Sequence, residues 1–289
     1  MNRISASLFV VVLLVSVACN QSPIDIEEPT IVSDEERWMA SICSPTFMGR
    51  KAGTEGCDSV AVYLQRELNL MGYSVITQPF CLKNSMDLLN LYVEIQGDSD
   101  SLIVIGAHYD GAKSGKKYPA ADDNGSGVVT LLSLCKYYSD PTHKPHKTLL
   151  AGFWGAEEVT LGGAFNGSKH FVKNYSGINR VQYYCNLDCF ARKEQGTFFY
   201  YSPGFVRSGE IMSEIMSTTD LHGLEFSVKE NEKRSSDYMS FYAARIPYFG
   251  WNDYDTSGHI HSTDDSIEHI SFEQISAVVD MTVKLIDRL

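Results

Sequence analysis

Leu102-Ile103-Val104-Ile105-Gly106-Ala107-His108-Tyr109-Asp110 is the stretch on which the reading of the fold turns. Its first six residues are apolar without alternation, as expected of a strand covered on both faces. An imidazole and a carboxylate follow at once at the strand's carboxyl end, where an α/β sheet gathers its ligands. Working outward, β-branched and aromatic runs at residues 73–80, 88–95, 148–154, 181–187 and 198–201 also read as strands. Helical patterns separate several of them. Val60, Leu64, Leu68 and Met71 share one face of a helix over 59–71, which Gly72 stops. Val128, Val129, Leu131, Leu132 and Cys135 form a second stripe. Ser271 with Gln274 makes a capping box before Phe272, Ile275, Val279 and Ile286. The expected fold class is α/β, with one mixed central β-sheet sandwiched between α-helices.

With 289 residues the chain has room for one sizeable core, and no repeat or second composition break divides it. The 24 basic and 36 acidic residues give a net charge of −12. Without a Lys/Arg run, neither a nucleic-acid surface nor a polybasic membrane patch is supported. Acidity of this kind serves solubility first, and a negative rim also attracts an α-amine. Arg3, the apolar run 8–15 and Ser16-Val17-Ala18 before Cys19 read as a cleavable export signal over 1–18, too short to cross a bilayer. A polar tether over 19–32 and a catalytic domain over 33–289 follow. An exported protein of the periplasm or cell envelope is expected, touching a membrane only through a lipid on Cys19 if the signal is of the lipoprotein type. Setting Cys19 aside leaves six cysteines, an even number that suits an oxidising compartment; six buried small hydrophobes is the plainer reading. Cys185 and Cys189, if on one straight strand, stand roughly 13 Å apart, too far for a disulfide.

Three expected strand ends carry chemistry: His108, the pair Glu157 and Glu158 after 148–154, and Asp188 after 181–187. Two loops, AADDNGSG with Asp122 and Asp123 and HIHSTDD with His261, carry more. A single histidine at a strand end is commonly a surface residue, and adjacent glutamates are commonly a solvated turn. Here the glutamates follow an apolar run, and Asp188 stands between Leu187 and Cys189, so these carboxylates need a cation to offset burial. Two imidazoles, spread-out carboxylates and a spare glutamate are what a two-zinc hydrolytic site requires: a bridging carboxylate, a histidine and a carboxylate for each metal, and a base. The spacing of His108 and Asp110 fits a ligand whose second ring nitrogen donates to the Asp110 carboxylate. The glycines of AADDNGSG let the backbone bend and aim one carboxylate between two ions. Composition leaves Asp122 and Asp123 both open for that position. His143, His146, His170, His222, His259 and His269 match no ligand context.

In order, GRKAGTEG from Gly49, GAHYDG, AADDNGSG, WGAEE, CNLDC and HIHSTDD resemble the secreted di-zinc aminopeptidases, a group related to glutamate carboxypeptidases and glutaminyl cyclases, over nearly the whole chain after the leader. The family's bridging aspartate stands directly before the Asn of D-N-x-S-G, which implies Asp123. The resemblance further implies that His108 and Asp188 hold one Zn2+, that Glu158 and His261 hold a second, and that Glu157 is the general base. His261 rather than His259 fits H-[ST]-x-x-D, with Ser262 and Asp265. Asp237 in RSSDYMSF matches a supporting signature. The implied activity is metal-assisted removal of the N-terminal residue from a peptide substrate with a free N-terminus.

Two departures stand out. Ile260 replaces the tyrosine that often precedes the last histidine and steadies the oxyanion, leaving that task to Tyr254 or to zinc. The segment VTLGGAFNGSKHF after the glutamate pair is longer than usual and bears on the substrate site. A single-zinc glutaminyl cyclase is the first alternative, although cyclases usually lack D-N-x-S-G. A non-enzymatic ectodomain is the second, and the full ligand set argues against it.

Overall fold

A computed structural model describes residues 32–82, 86–158, 163–193, 195–230, 235–253 and 258–289. Among these, eight strands form one sheet: β1 (Ile76–Leu82), β2 (Met86–Ile95), β3 (Ser99–His108), β4 (Lys147–Trp154), β5 (Val181–Leu187), β6 (Thr197–Tyr201), β7 (Phe226–Glu230) and β8 (Tyr248–Asp253). Their order across the sheet is β1-β2-β4-β3-β5-β8-β6-β7. The four central strands β4, β3, β5 and β8 are mutually parallel, while β2 and β6 flank them antiparallel. The sheet is therefore mixed, as its sequence implies.

Helices cover both faces. Against one lie α1 (Asp34–Ile42), α2 (Glu55–Leu70), α3 (Gly127–Ser139), α5 (Val206–Thr218) and α7 (Phe272–Ile286), packed on Ile103, Ile105, Leu149, Ala151, Leu187 and Trp251. Against the other lie α4 (Asn166–Asn174) and α6 (Tyr238–Ala243), which bring Phe171, Tyr238 and Phe241 onto Leu102, Val104, Leu150 and Tyr184. Successive residues of β3 thus serve opposite cores, which is why that strand lacks polar alternation. Each such aliphatic side chain contributes about 1.5–3 kcal/mol by burial. Gly72 ends α2 at φ +90°, a backbone angle that costs glycine little.

Some local expectations change. Tyr73 does not begin β1; its hydroxyl donates to the Cys135 carbonyl on α3 at 2.7 Å, and pairing starts at Ile76. β8 was not anticipated, although it lies fully buried between β5 and β6. It admits Gly250 because a Cβ there would stand 2.4 Å from the Asn186 carbonyl oxygen. Only half of the expected capping box forms at α7: Ser271 Oγ accepts from the Gln274 N–H at 3.1 Å, while the Gln274 amide turns to the Gln195 carbonyl and the Thr197 hydroxyl. The six cysteines after Cys19 are free thiols, all buried except Cys81.

Candidate metal centre

The chain leaves β3 through α3 to reach β4 on one flank, then passes through α4 to β5 on the other. Strand order reverses about β3, so its carboxyl end opens a crevice of the kind in which α/β proteins bind ligands. His108 ends β3, Glu157 and Glu158 follow β4, and Asp188 follows β5. AADDNGSG enters the same crevice at the start of α3, and 258–265 approaches from beyond β8.

Six of the residues singled out in the sequence, His108, Asp110, Asp123, Glu157, Glu158 and Asp188, are at most 8% exposed. The His261 side chain is 47% exposed and forms the open side. His108 Nε2 lies 3.3 Å from Asp123 Oδ1 and 3.4 Å from Asp188 Oδ1. His261 Nε2 lies 3.0 Å from Asp123 Oδ2 and 3.1 Å from Glu158 Oε2. Each trio, His108/Asp123/Asp188 and Asp123/Glu158/His261, offers donor atoms within 4.8 Å of one another. Asp123 belongs to both and turns one oxygen to each histidine. Asp122, equally open on composition, points elsewhere: its Oδ1 accepts the Ala191 N–H, and its Oδ2 lies 3.3 Å from His259 Nε2.

This donor set fits zinc. Imidazole and carboxylate are its ordinary ligands. Glu158 Oε1 is buried and has no hydrogen-bond partner, a cost that a cation at the trio would remove. The charges now lean on one another. Burial, together with the negative Asp237, Asp188 and Glu158, pushes the Glu157 carboxyl well above the usual range, against the pull of His108. Burial beside Asp123 lifts Glu158 to about 7, and hydrogen bonds donated to the Asp123 and Glu158 carboxylates raise His261 to about 10.

Strained backbone occurs at three of these motifs. Ala156 before the glutamate pair, Cys189 after Asp188, and His261 itself have φ of +59°, +52° and +58°, a region that non-glycine residues enter at a cost of about 1–3 kcal/mol. Neighbouring bonds hold them there. The Phe165 and Asn166 N–H groups donate to the Glu157 and Ala156 carbonyls, and the Asp253 N–H donates to the Cys189 carbonyl at 2.7 Å. At Asp123 the helical dihedrals are interrupted, with φ −111° and ψ 85°. The Asn124 amide donates to the Leu187 carbonyl, while its oxygen accepts the Gly127 N–H.

The surrounding contacts revise one expectation and add residues. The Asp110 carbonyl, at 3.1 Å, is nearer to His108 Nδ1 than its carboxylate, at 3.7 Å. The carboxylate instead accepts the N–H groups of Glu157 at 2.9 Å and Glu158 at 3.3 Å. Ser236, not singled out in the sequence, donates to Asp188 Oδ2 at 2.6 Å. Asp265 accepts the N–H groups of Asp122 and Asp123 at 2.6 and 3.1 Å, tying the His261 turn to Asp123. His259, read as structural, is 4% exposed and forms a further compact cluster with Asp122 and Asp253. Asp237 is buried, its carboxyl lifted by burial to about 7, and its Oδ1 has no partner. Tyr254 and Val159–Gly162 of the long segment lie outside the described residues.

The sequence profile of Peptidase family M28 matches residues 90–286, well over half of the chain. The chain belongs to peptidase family M28. Among similar proteins, leupeptin-inactivating enzyme 1 of Streptomyces exfoliatus is 28% identical over 188 residues, covering 64% of this chain and 41% of the relative. Aminopeptidase YwaD of Bacillus subtilis is 26% identical over 252 residues, covering 82% and 52%. The chain thus spans about half the length of these curated relatives. A leucine aminopeptidase precursor from Bacteroides thetaiotaomicron superposes with a TM-score of 0.74 at 18% identity, over 88% of this chain and 95% of that one. The Macrostomum lignano glutaminyl cyclase gives 0.73 at 15%, over 88% of each. These likenesses establish a shared fold.

Proposed function

We propose that the chain is a zinc-dependent exopeptidase, most simply an aminopeptidase that hydrolyses the first bond of peptides with a free N-terminus. The observation that carries this reading is Asp123, whose two oxygens stand 3.3 and 3.0 Å from two different histidines, each paired with its own carboxylate. His108 and Asp188 would hold one zinc ion, Glu158 and His261 the other, with Asp123 between them. Bound zinc supplies Lewis-acid polarisation of the scissile carbonyl and acidifies water.

The chain's own residues do the rest. Glu157 is close enough to His108, Asp188 and Glu158 to feel their charges and is not itself a member of either donor trio. It takes the proton of the attacking water and returns it to the leaving amine. Its raised proton affinity favours that return, and its backbone N–H is fixed by Asp110. Asp110 also supports His108 through its carbonyl, so it orients base and ligands together. The buried carboxylates give the crevice a field that attracts a substrate α-ammonium.

The test is hydrolysis of unblocked aminoacyl anilides beside their N-acetylated forms, with zinc and with chelator. Chelator-sensitive cleavage of the free-amine substrates alone is expected; equal cleavage of the acetylated forms, or insensitivity to chelator, contradicts the reading. A glutaminyl cyclase working at one zinc is the second reading, favoured by the shared fold. It predicts about one zinc per chain and release of a cyclised product. Export and a lipid on Cys19 belong to the same proposal, and an unmodified mature N-terminus in mass spectrometry would remove the lipid.

A further inference from the structure

The GRKAGTEG motif supplies no donor to the centre, yet it builds one wall beside it. Arg50 is 1% exposed, and its guanidinium donates to the carbonyls of Ile42, Tyr109, Pro119 and Ala120 at 2.6–3.0 Å. Two of those carbonyls bracket the loop 111–119, which runs from the His108 motif to the Asp123 motif. The loop is pinned further where the Gly111 N–H donates to the Arg50 carbonyl at 3.2 Å and the Gly115 N–H to the Met48 carbonyl at 2.7 Å. Gly49 is required at that seam, because a Cβ there would meet the Lys113 carbonyl oxygen at 2.3 Å. The loop is thus fastened at both ends and in the middle.

What this fastened loop presents is positive charge. Lys113, Lys116 and Lys117 fall within five positions of a chain whose net charge is −12, and all three are exposed. Lys113 Nζ and Lys117 Nζ lie 5.3 and 5.4 Å from the centre of the Tyr118 ring, which restrains both heads. Among the described residues the lysine ion pairs use Lys136, Lys144 and Lys284, not these three. Lys113 and Tyr118 line a small cleft whose other walls include Asp123, His261, Ser262 and Asp265. Lys113, whose ammonium has no carboxylate partner among the described residues, therefore borders the same small cleft as two residues of the proposed zinc site.

We infer that Lys113, on its braced loop, is a specificity-determining residue that receives a substrate carboxylate at the mouth of the metal centre. The inference rests on the exopeptidase reading and names its substrate class: short peptides bearing a carboxylate close to the scissile bond. That carboxylate comes from an acidic N-terminal side chain or from the free C-terminus of a dipeptide, and both meet the same ammonium.

The experiment compares kcat/KM of the zinc-loaded enzyme on two matched pairs, glutamyl against glutaminyl anilide and Leu-Gly against its C-terminal amide. In at least one pair the carboxylate member is expected to lead by about 5-fold, an advantage that fades as salt rises. The pair that responds identifies the source of the carboxylate. Lys113→Met brings the ratio near unity and Lys113→Glu inverts it, with zinc content unchanged. Parity of both pairs in the wild type, or a ratio that Lys113→Glu does not move, overturns the subsite while leaving the exopeptidase reading standing. Silence on every substrate overturns both.

Discussion

Asp110→Asn offers a sharp test of how the centre is assembled. The Asp110 carboxylate is fully buried and accepts two backbone N–H groups, from the proposed base Glu157 at 2.9 Å and the proposed ligand Glu158 at 3.3 Å. An amide of the same shape keeps one acceptor and turns an NH2 donor toward the other N–H. One charge-assisted hydrogen bond is lost and one buried donor is left unpaired, together about 1.5–3 kcal/mol. The fold has a large core elsewhere, so most of the effect falls on the position of Glu157 and Glu158. At about 1.4 kcal/mol per decade, zinc affinity and turnover should each fall roughly 10- to 100-fold. Competition with a fluorescent zinc chelator reads the affinity, anilide hydrolysis reads the turnover, and circular dichroism checks the fold. A folded variant with affinity and kcat within about twofold of wild type would refute this role of the carboxylate.

Two further outcomes follow from the same geometry. Glu157→Gln should retain zinc and fold while turnover drops roughly 10²- to 10⁴-fold, and near-normal turnover would exclude Glu157 as the base. Stability of the metal-free chain should depend on pH in a definite direction. Burial holds Glu158, Asp237 and Asp265 at about 7, above their unfolded values, and His261 stands at about 10. The folded chain then binds more protons than the unfolded one, so the carboxyl contribution is complete near pH 4 and is lost as pH rises through about 7; the His261 contribution is lost through about 10. Melting of the zinc-free protein should shift to lower temperature between about pH 5.5 and 8.5, while zinc, which displaces those protons, stabilises more at the higher pH. A melting temperature of the zinc-free protein that rises over that pH range would contradict these assignments.

Much of this was legible in the sequence because the decisive signals were local. β3 announced itself through an unbroken apolar run, and the ligand motifs stood out as charges set directly against apolar strands. Composition leaves Asp122 and Asp123 open and only the D-N-x-S-G resemblance implies Asp123; the physical reason is not local, because it lies in the backbone break at Asp123 and in His259, which draws Asp122 away. Asp110 was half read. Its partners Glu157 and Glu158 lie 47 and 48 residues on, beyond any spacing rule, and its carbonyl takes the place near the imidazole that its carboxylate was expected to fill. Ser236 behind Asp188 was hidden for the same reason. β8 is six residues long and broken by Gly250, so its place in the sheet follows from partners on both sides rather than from its own pattern.

The central claim is that Asp123 bridges two zinc ions, and zinc-edge anomalous diffraction from crystals of the zinc-loaded chain tests it most directly. Two peaks about 3.5–4 Å apart are expected, one against His108 and Asp188 and the other against Glu158 and His261, with Asp123 between them. A single peak at only one of the two trios would contradict the two-zinc account and favour the cyclase reading, and no peak at either trio would remove the metal centre altogether.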